Sequence, residues 1–177
     1  MGLVLLIGGA RSGKSSAAHR LAETSGEEVV LIATGEPRDA EMAERIRLHR
    51  LARPATWSTI EQPVDVLAAL ERVPEKATVI LDCLTLWVSN LLGRGDEPAD
   101  VLGVAERTAR LAAERAGSTI AVTNEVGLGI VPFEPETRTY RDLLGRVNAI
   151  VAAAAERVAF LVAGRVLWLD PLSEEPT

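Results

Sequence analysis

The sequence predicts an α/β fold in which a mostly parallel central sheet carries helices on both faces and an antiparallel hairpin at one edge. Three observations lead there. Short runs rich in β-branched residues and leucine alternate with longer stretches of helical spacing. The first four runs are apolar almost throughout, as strands covered on both faces are. The last two are joined by Ala163-Gly164-Arg165, a glycine-containing connection short enough for a hairpin. With 177 residues, 47% of them hydrophobic, the chain is expected to form one domain over 1–177.

The elements follow in order. Leu3-Val4-Leu5-Leu6-Ile7 reads as the first strand, because five apolar residues lack both the basic leader and the length of a secretory signal. A glycine-rich turn follows, and then a helix over 14–24. A strand is expected over 29–33 and helices over 39–51 and 63–71. The run 78–81 is the third strand, followed by a helix over 84–92. Glycine, charge and proline cluster over 91–98, which reads as a loop. A helix over 99–116, a strand over 119–123 and a helix over 140–157 come next. The hairpin strands 158–162 and 166–169 close the fold, and 173–177 is expected to fray. No apolar run approaches the ~20 residues that span a bilayer, so membrane insertion is not expected.

Charge narrows the partners. Asp and Glu number 25 against 19 Lys and Arg, a formal charge of -6, so no global basic field attracts nucleic acid. Cys83 is the only cysteine; no internal disulfide is possible, which suits a reducing cytoplasm.

Gly8-Gly9-Ala10-Arg11-Ser12-Gly13-Lys14-Ser15 matches G-x-x-x-x-G-K-[ST] and stands where that motif works, after an apolar strand and before a helix. Its glycines let backbone N–H groups turn toward phosphate oxygens, and the helix N-terminus adds partial positive charge there. Lys14 is expected to reach the β/γ-phosphates and the Ser15 hydroxyl to bind Mg²⁺. The fold class is therefore P-loop NTPase-like. An acid should end a later strand, and Val79-Ile80-Leu81-Asp82 supplies one. Asp82 is either part of the Mg²⁺ shell or a cap for the helix beginning near Leu84. Ligands of open α/β sheets sit beyond the carboxyl ends of the strands, so Thr34, Asp82 and Asn124-Glu125 should converge on the loop.

Between Arg45 and Arg53 the chain reads Arg-Ile-Arg-Leu-His-Arg-Leu-Ala-Arg, without an acid. Arginine forks suit phosphate oxygens. Met42, Ile46 and His49 share one helical face, which turns His49 inward. Neutral imidazole is a competent nucleophile, and neighbouring cations disfavour its protonation. From the residues alone His49 is either a core residue on that stripe or a nucleophile for an α-phosphate. His19 reads as structural, and Trp57, Trp87 and Trp168 read as core or interface residues.

These residues resemble the family of bifunctional adenosylcobinamide kinases/adenosylcobinamide-phosphate guanylyltransferases of cobalamin biosynthesis. The likeness rests on the phosphate loop, Ile32-Ala33-Thr34, the run from Asp39 to Ile46 leading to His49, and Arg53-Pro54-Ala55-Thr56-Trp57. It continues through Leu81-Asp82-Cys83-Leu84-Thr85, Asn90-Leu91-Leu92, the run Asn124-Glu125-Val126-Gly127-Leu128-Gly129-Ile130-Val131-Pro132, and the run from Tyr140 to Asn148. The resemblance implies phosphorylation of adenosylcobinamide by ATP or GTP. GMP would then pass from GTP to adenosylcobinamide phosphate through a guanylylated histidine, at the position of His49. It implies nucleotide contacts from the phosphate loop, Thr34-Gly35-Glu36, Arg50-Leu51-Ala52-Arg53, Glu61 and Asp82, and a homotrimer. The chain departs from the family's pattern at Thr34-Gly35 and Asp82-Cys83, where other members carry Thr-Ser and Glu-Cys. A role for Gly35 must then run through its backbone. Leu48 stands where some members have a second histidine, so a paired-histidine mechanism is excluded. A general base for the kinase step is open between Asp82 and Glu125. Two other functions share the loop: a plain small-molecule kinase without a histidine adduct, and a regulatory nucleotide-binding module.

Overall fold

The computed structural model describes residues 2–171, so the expected frayed tail 173–177 lies outside the described residues. Seven strands form one sheet: β1 (Leu3–Gly8), β2 (Val29–Ala33), β3 (Ser58–Glu61), β4 (Thr78–Asp82), β5 (Thr119–Asn124), β6 (Arg157–Val162) and β7 (Arg165–Leu169). Their spatial order is β3-β2-β4-β5-β1-β6-β7. All neighbours are parallel except β6 and β7, which pair antiparallel as the expected edge hairpin. Among the described residues six helices connect them: α1 (Lys14–Glu23), α2 (Ala40–Leu51), α3 (Val66–Glu71), α4 (Leu84–Arg94), α5 (Pro98–Glu114) and α6 (Pro135–Ala154). Among the described residues no helix is long and apolar enough to cross a membrane.

Apolar residues on both sides of each central strand have a purpose. Successive side chains of a strand point to opposite faces, and here both faces are covered. Leu3 and Leu5 enter a cluster with α3, α4, α5 and α6, whereas Val4 and Leu6 enter a second one with Ala17, Ala18 and Ala22 of α1. Helix α2 has no buried residue, so it stands outside both clusters.

Several boundaries differ from expectation. Strand β3 is absent from the sequence-based reading; it is four residues long and mostly exposed, so no apolar run announces it. Helix α6 begins at Pro135 rather than 140, with proline in the first turn, where its missing N–H removes nothing. It stops at Ala154, where β6 takes over. The loop expected over 91–98 is narrower, because α4 continues to Arg94 and Pro98 already opens α5. Helix α3 starts three residues later than expected, at Val66.

A buried polar network fixes the carboxyl end of β5. The Thr123 hydroxyl donates to Asn148 Oδ1 at 2.7 Å, and Asn148 Nδ2 donates to the Asn124 carbonyl at 3.1 Å. The Asn124 N–H donates to Thr85 Oγ1 at 2.8 Å, and the Tyr140 hydroxyl donates to the Thr85 carbonyl at 3.2 Å. Burial pushes the Tyr140 phenol up to about 12, so it stays a donor at any working pH. Asn148→Ala leaves the Thr123 hydroxyl and the Asn124 carbonyl without this partner in the interior. We expect it to cost about 1–3 kcal/mol, read as a lower urea midpoint at unchanged slope.

Candidate active site

The carboxyl ends of the parallel strands lie along one edge of the sheet and bring the predicted residues together. Glu61 pairs in register with Ala33, and Ala33 with Asp82. Asn124 is the register partner of Gly8, and Gly8 pairs in turn with Leu161. Strand β5 thus separates the strand bearing Asp82 from the strand bearing the phosphate loop.

The turn from β1 to α1 is set by close approach. A Cβ on Gly8 would lie 2.3 Å from the Leu161 carbonyl oxygen, so only glycine fits beside β6. Gly13 caps α1 with φ 99°, a left-handed conformation that glycine adopts without strain. The Ser12 carbonyl accepts from the Gly164 N–H at 2.9 Å, which ties the loop to the β6–β7 turn. Gly9, Ala10 and Arg11 are exposed along its crest.

Lys14 folds back across this loop. Its ammonium donates to the Gly8 carbonyl at 3.0 Å, the Gly9 carbonyl at 2.6 Å and the Ser12 hydroxyl at 3.3 Å. The residue is only 8% exposed. Burial lowers its pKa, partly offset by Cys83 and Asp82, and the Arg45 charge on α2 lowers it further. The Ser15 hydroxyl and the Asp82 carboxylate make no hydrogen bond or ion pair among the described residues. Asp82 is half-buried and does not cap α4, whose N-cap is Cys83.

Thr34 is fully buried and committed. Its hydroxyl donates to the Cys83 carbonyl at 2.8 Å and accepts the Cys83 N–H at 2.9 Å, while its own N–H donates to the Asp82 carbonyl at 3.0 Å. The side chain therefore holds the β4–α4 turn that carries Asp82. Burial, with Asp82 adjacent, pushes the Cys83 thiol up to about 11, so it is protonated and inert. Gly35 faces Ile46 of α2, where a Cβ would meet Ile46 carbons at 3.5 Å. Glu36 is half-buried and paired with Arg38 at 2.8 Å.

The arginine patch is partly self-neutralised. Arg47 pairs with Glu44, and Arg50 holds the Glu61 carboxylate through Nε at 2.9 Å and through Nη2. Leu51 ends α2 exposed, and Ala52 is its C-cap. Arg53 makes one long contact, from Nη1 to the Thr59 hydroxyl at 3.4 Å, and burial lowers its pKa. With Pro54, Ala55, Trp57 and Thr59, the three residues Arg50, Arg53 and Glu61 line an open cleft of about 250 Å³.

Met42, Ile46 and His49 are the half-buried positions of α2 between Glu41 and Arg50, so the expected inward face is the inward face. His19, read from sequence as structural, stands close by. Its ring meets the Trp57 ring edge-on, with centroids 4.9 Å apart. Burial lowers its pKa first; Asp82 and Glu23 raise it, and Arg53 and His49 lower it. It lies one helical turn beyond Ser15, a spacing that could have flagged it; the contact with Trp57 crosses a loop and left no local signal.

A mostly parallel sheet with a glycine-lysine-serine turn after its first strand, and an acid ending a strand two positions away, defines a P-loop nucleotide-binding α/β protein. Solved structures of that architecture resemble it at the level of fold. A protein from Pyrococcus horikoshii OT3 matches with a TM-score of 0.59 at 8% identity, covering 98% of this chain and 88% of its own. The RadB recombinase matches with a TM-score of 0.50 at 15% identity, covering 90% and 73%. Sequence comparison goes further. Residues 4–169 match the family described as cobinamide kinase / cobinamide phosphate guanyltransferase. The bifunctional adenosylcobalamin biosynthesis protein CobP of Pseudomonas aeruginosa is 44% identical over 173 residues, 97% of this chain and 98% of that one. The protein CobU of Salmonella typhimurium is 39% identical over 176 residues, 92% of this chain and 96% of that one. The chain belongs to the cobinamide kinase / cobinamide phosphate guanyltransferase family and is an enzyme of that bifunctional type.

The His19 environment has a pH consequence. A folded pKa below the ordinary 6.5 means that the unfolded chain takes up this proton first. Stability therefore falls as pH drops below 6.5, until the folded value is passed. His19→Gln should show a shallower decline of urea midpoint with acidification than wild type; parallel declines would contradict it.

Proposed function

We propose that the enzyme phosphorylates adenosylcobinamide with ATP or GTP. It then transfers GMP from GTP, through a guanylylated His49, to adenosylcobinamide phosphate, giving adenosylcobinamide-GDP and pyrophosphate. The observation that carries this reading is His49 on the half-buried face of α2, the face whose Ile46 packs toward Gly35 just beyond the carboxyl end of β2. Family membership favours it over a plain kinase, and sets aside a non-catalytic module.

The phosphate loop would hold the triphosphate, with Lys14 exchanging the carbonyls of Gly8 and Gly9 for phosphate oxygens. Ser15 and Asp82 are the residues suited to Mg²⁺: both are hard oxygen donors, and neither is used elsewhere among the described residues. Among those residues no group of three or more His, Cys, Asp or Glu side chains could hold a metal alone, which fits an ion completed by phosphates and water. Mg²⁺, when bound, would neutralise charge on the phosphates.

In the guanylyl step an imidazole nitrogen of His49 bonds to the α-phosphorus, and the bond to the β-phosphate bridging oxygen breaks. Pyrophosphate leaves and the ring gives up its proton. A phosphate oxygen of the acceptor then bonds to the same phosphorus as the nitrogen departs. Arg53, with one long contact of its own, is better placed to share the pyrophosphate charge than Arg50, which is held by Glu61. Thr34 and Gly35 contribute by positioning Asp82 and seating α2. Asp82 and Glu125 are the candidates for general base in the kinase step; Glu125 already accepts the Gly127 N–H. The family likeness also favours a homotrimer, and the exposed outer strand β7 offers an edge to which another copy could add.

Two measurements test the reading. Incubation with α-labelled GTP and Mg²⁺ should leave an acid-labile, alkali-stable label on wild type and none on His49→Ala; label surviving that substitution refutes the nucleophile. Lys14→Ala should lower cobinamide phosphorylation by about 10²–10³-fold, whereas His49→Ala should retain it, because phosphoryl transfer to an alcohol can be direct.

A further inference from the structure

The loop leaving β5 is apolar where nucleotide chemistry asks for nothing apolar. Within six residues it exposes Leu128 (80%), Ile130 (98%), Val131 (62%) and Phe133 (91%). Such a cluster on a surface marks a contact with something else. The loop is also held in place. The Glu125 carboxylate accepts the Gly127 N–H at its root, and Arg138 of α6 donates to the carbonyls of Pro132 and Phe133 at its far end. With the ends tied, the four apolar side chains stand outside both core clusters.

Its position identifies the occupant. The loop starts at Asn124, the register partner of Gly8, and the Glu125 N–H donates to the Gly8 carbonyl at 3.2 Å. It therefore rises directly beside the phosphate loop. The arginine-lined cleft at β3 lies on the other flank, beyond β5, β4 and β2. The family reaction brings two substrates to this edge: a polyanionic nucleotide and a corrinoid acceptor far larger than the cleft. A corrin ring is a flat, largely hydrocarbon macrocycle rimmed by carboxamides. Only its hydroxyl-bearing arm needs to enter; the ring must rest outside, next to the phosphate loop.

We propose that residues 126–133 are the docking surface for the corrin macrocycle of the acceptor. Leu128, Ile130, Val131 and Phe133 cover its apolar face, and the polar root at Asn124 and Glu125 is in reach of its carboxamides. The docked ring directs its hydroxyl arm over the turn at Gly8–Gly9. This rests on cobinamide being the kinase substrate, and not on the histidine route.

Ile130→Ser, Phe133→Ser and their double variant test it, with Ile130→Leu as the conservative control; all these side chains point to solvent, so the fold tolerates the changes. Steady-state kinase kinetics with cobinamide and nucleotide, equilibrium dialysis with cobinamide, and sedimentation are measured on the full chain. We expect the double variant to raise KM and Kd for cobinamide at least tenfold, with nucleotide KM unchanged and Ile130→Leu close to wild type. An unchanged cobinamide Kd overturns the proposal. So does a parallel weakening of nucleotide and cobinamide, which would make the loop a support for the whole site. A change in molar mass with cobinamide Kd intact assigns the loop to self-association instead and equally overturns it. Wild-type turnover of cobinamide in the same assay reports separately on the acceptor itself.

Discussion

A buried ammonium among uncharged partners governs the phosphate side of this molecule. Lys14 hydrogen-bonds only to carbonyls and a hydroxyl, and burial makes it hold its proton less firmly, with Cys83 and Asp82 offsetting part of that loss and Arg45 adding to it. The arrangement exists because β1 and β6 approach so closely at Gly8 that no side chain can intervene. The loop must then turn back over the strand end, and its carbonyls point to where the lysine folds. A phosphate arriving there would supply a close negative charge in place of the water that burial removed. That exchange of dipoles for charge is why a lysine in this turn favours anions more strongly than one on an open surface.

Placement of the remaining groups follows from parallel strands ending together. Thr34 spends its hydroxyl twice on the Cys83 backbone, and Asn90 donates to the Thr34 and Pro63 carbonyls at 2.8 and 2.9 Å. These bonds lock the ends of β2 and β4 to α4, so the Asp82 carboxylate is positioned by neighbours that do not touch it. At β5 itself, Thr85 of α4, Thr123 and Asn148 of α6 do the same for Asn124. Thus the acid and the polar end of β5 are held by two networks that both draw on α4. Both networks are buried, so each loses a full hydrogen bond's worth of compensation when one member is removed.

Much of this was legible in the sequence because it is carried by local pattern. The apolar runs of β1, β2, β4 and β5 fill both faces of the sheet, and the glycine-lysine-serine turn needs no tertiary information. The inward face of α2 was carried by the Met42, Ile46, His49 spacing, and in the structure the Asp39 carboxylate caps the helix by accepting the Met42 N–H at 2.7 Å. What the sequence hid depends on contacts between distant segments. Strand β3 is polar and exposed, and it exists because Ser58–Glu61 pairs with β2; Glu61 reaches the site edge by that pairing alone. The first turn of α6 reads as loop because it opens with Pro135 and lacks apolar spacing. His19 lacked any cue beyond its spacing from Ser15, since its partner Trp57 lies across the fold. The spent hydroxyl of Thr34 was equally hidden: a threonine at a strand end looks the same whether it faces a ligand or a backbone.

The charge distribution links these parts. The chain carries a formal charge of -6, yet Arg45 acts on Lys14 of the phosphate loop, and Arg50 and Arg53 line the cleft beside β3. A polyanion is therefore repelled by the molecule as a whole and attracted by these cations, a contrast that steers approach and fades with added salt. Cations that were all paired would cancel this field. Arg47 and Arg50 are spent on Glu44 and Glu61, but Arg45 makes no hydrogen bond or ion pair among the described residues, and Arg53 has a single long one. Exposed pairs such as Arg50–Glu61 contribute little to stability, so a phosphate could take over that arginine at small cost. Arg45 and Arg53 thus keep charge in reserve for a nucleotide, while the neighbouring loop after β5 is apolar and uncharged. Two substrates of opposite character can meet over Gly8 and Lys14 without competing for the same surface.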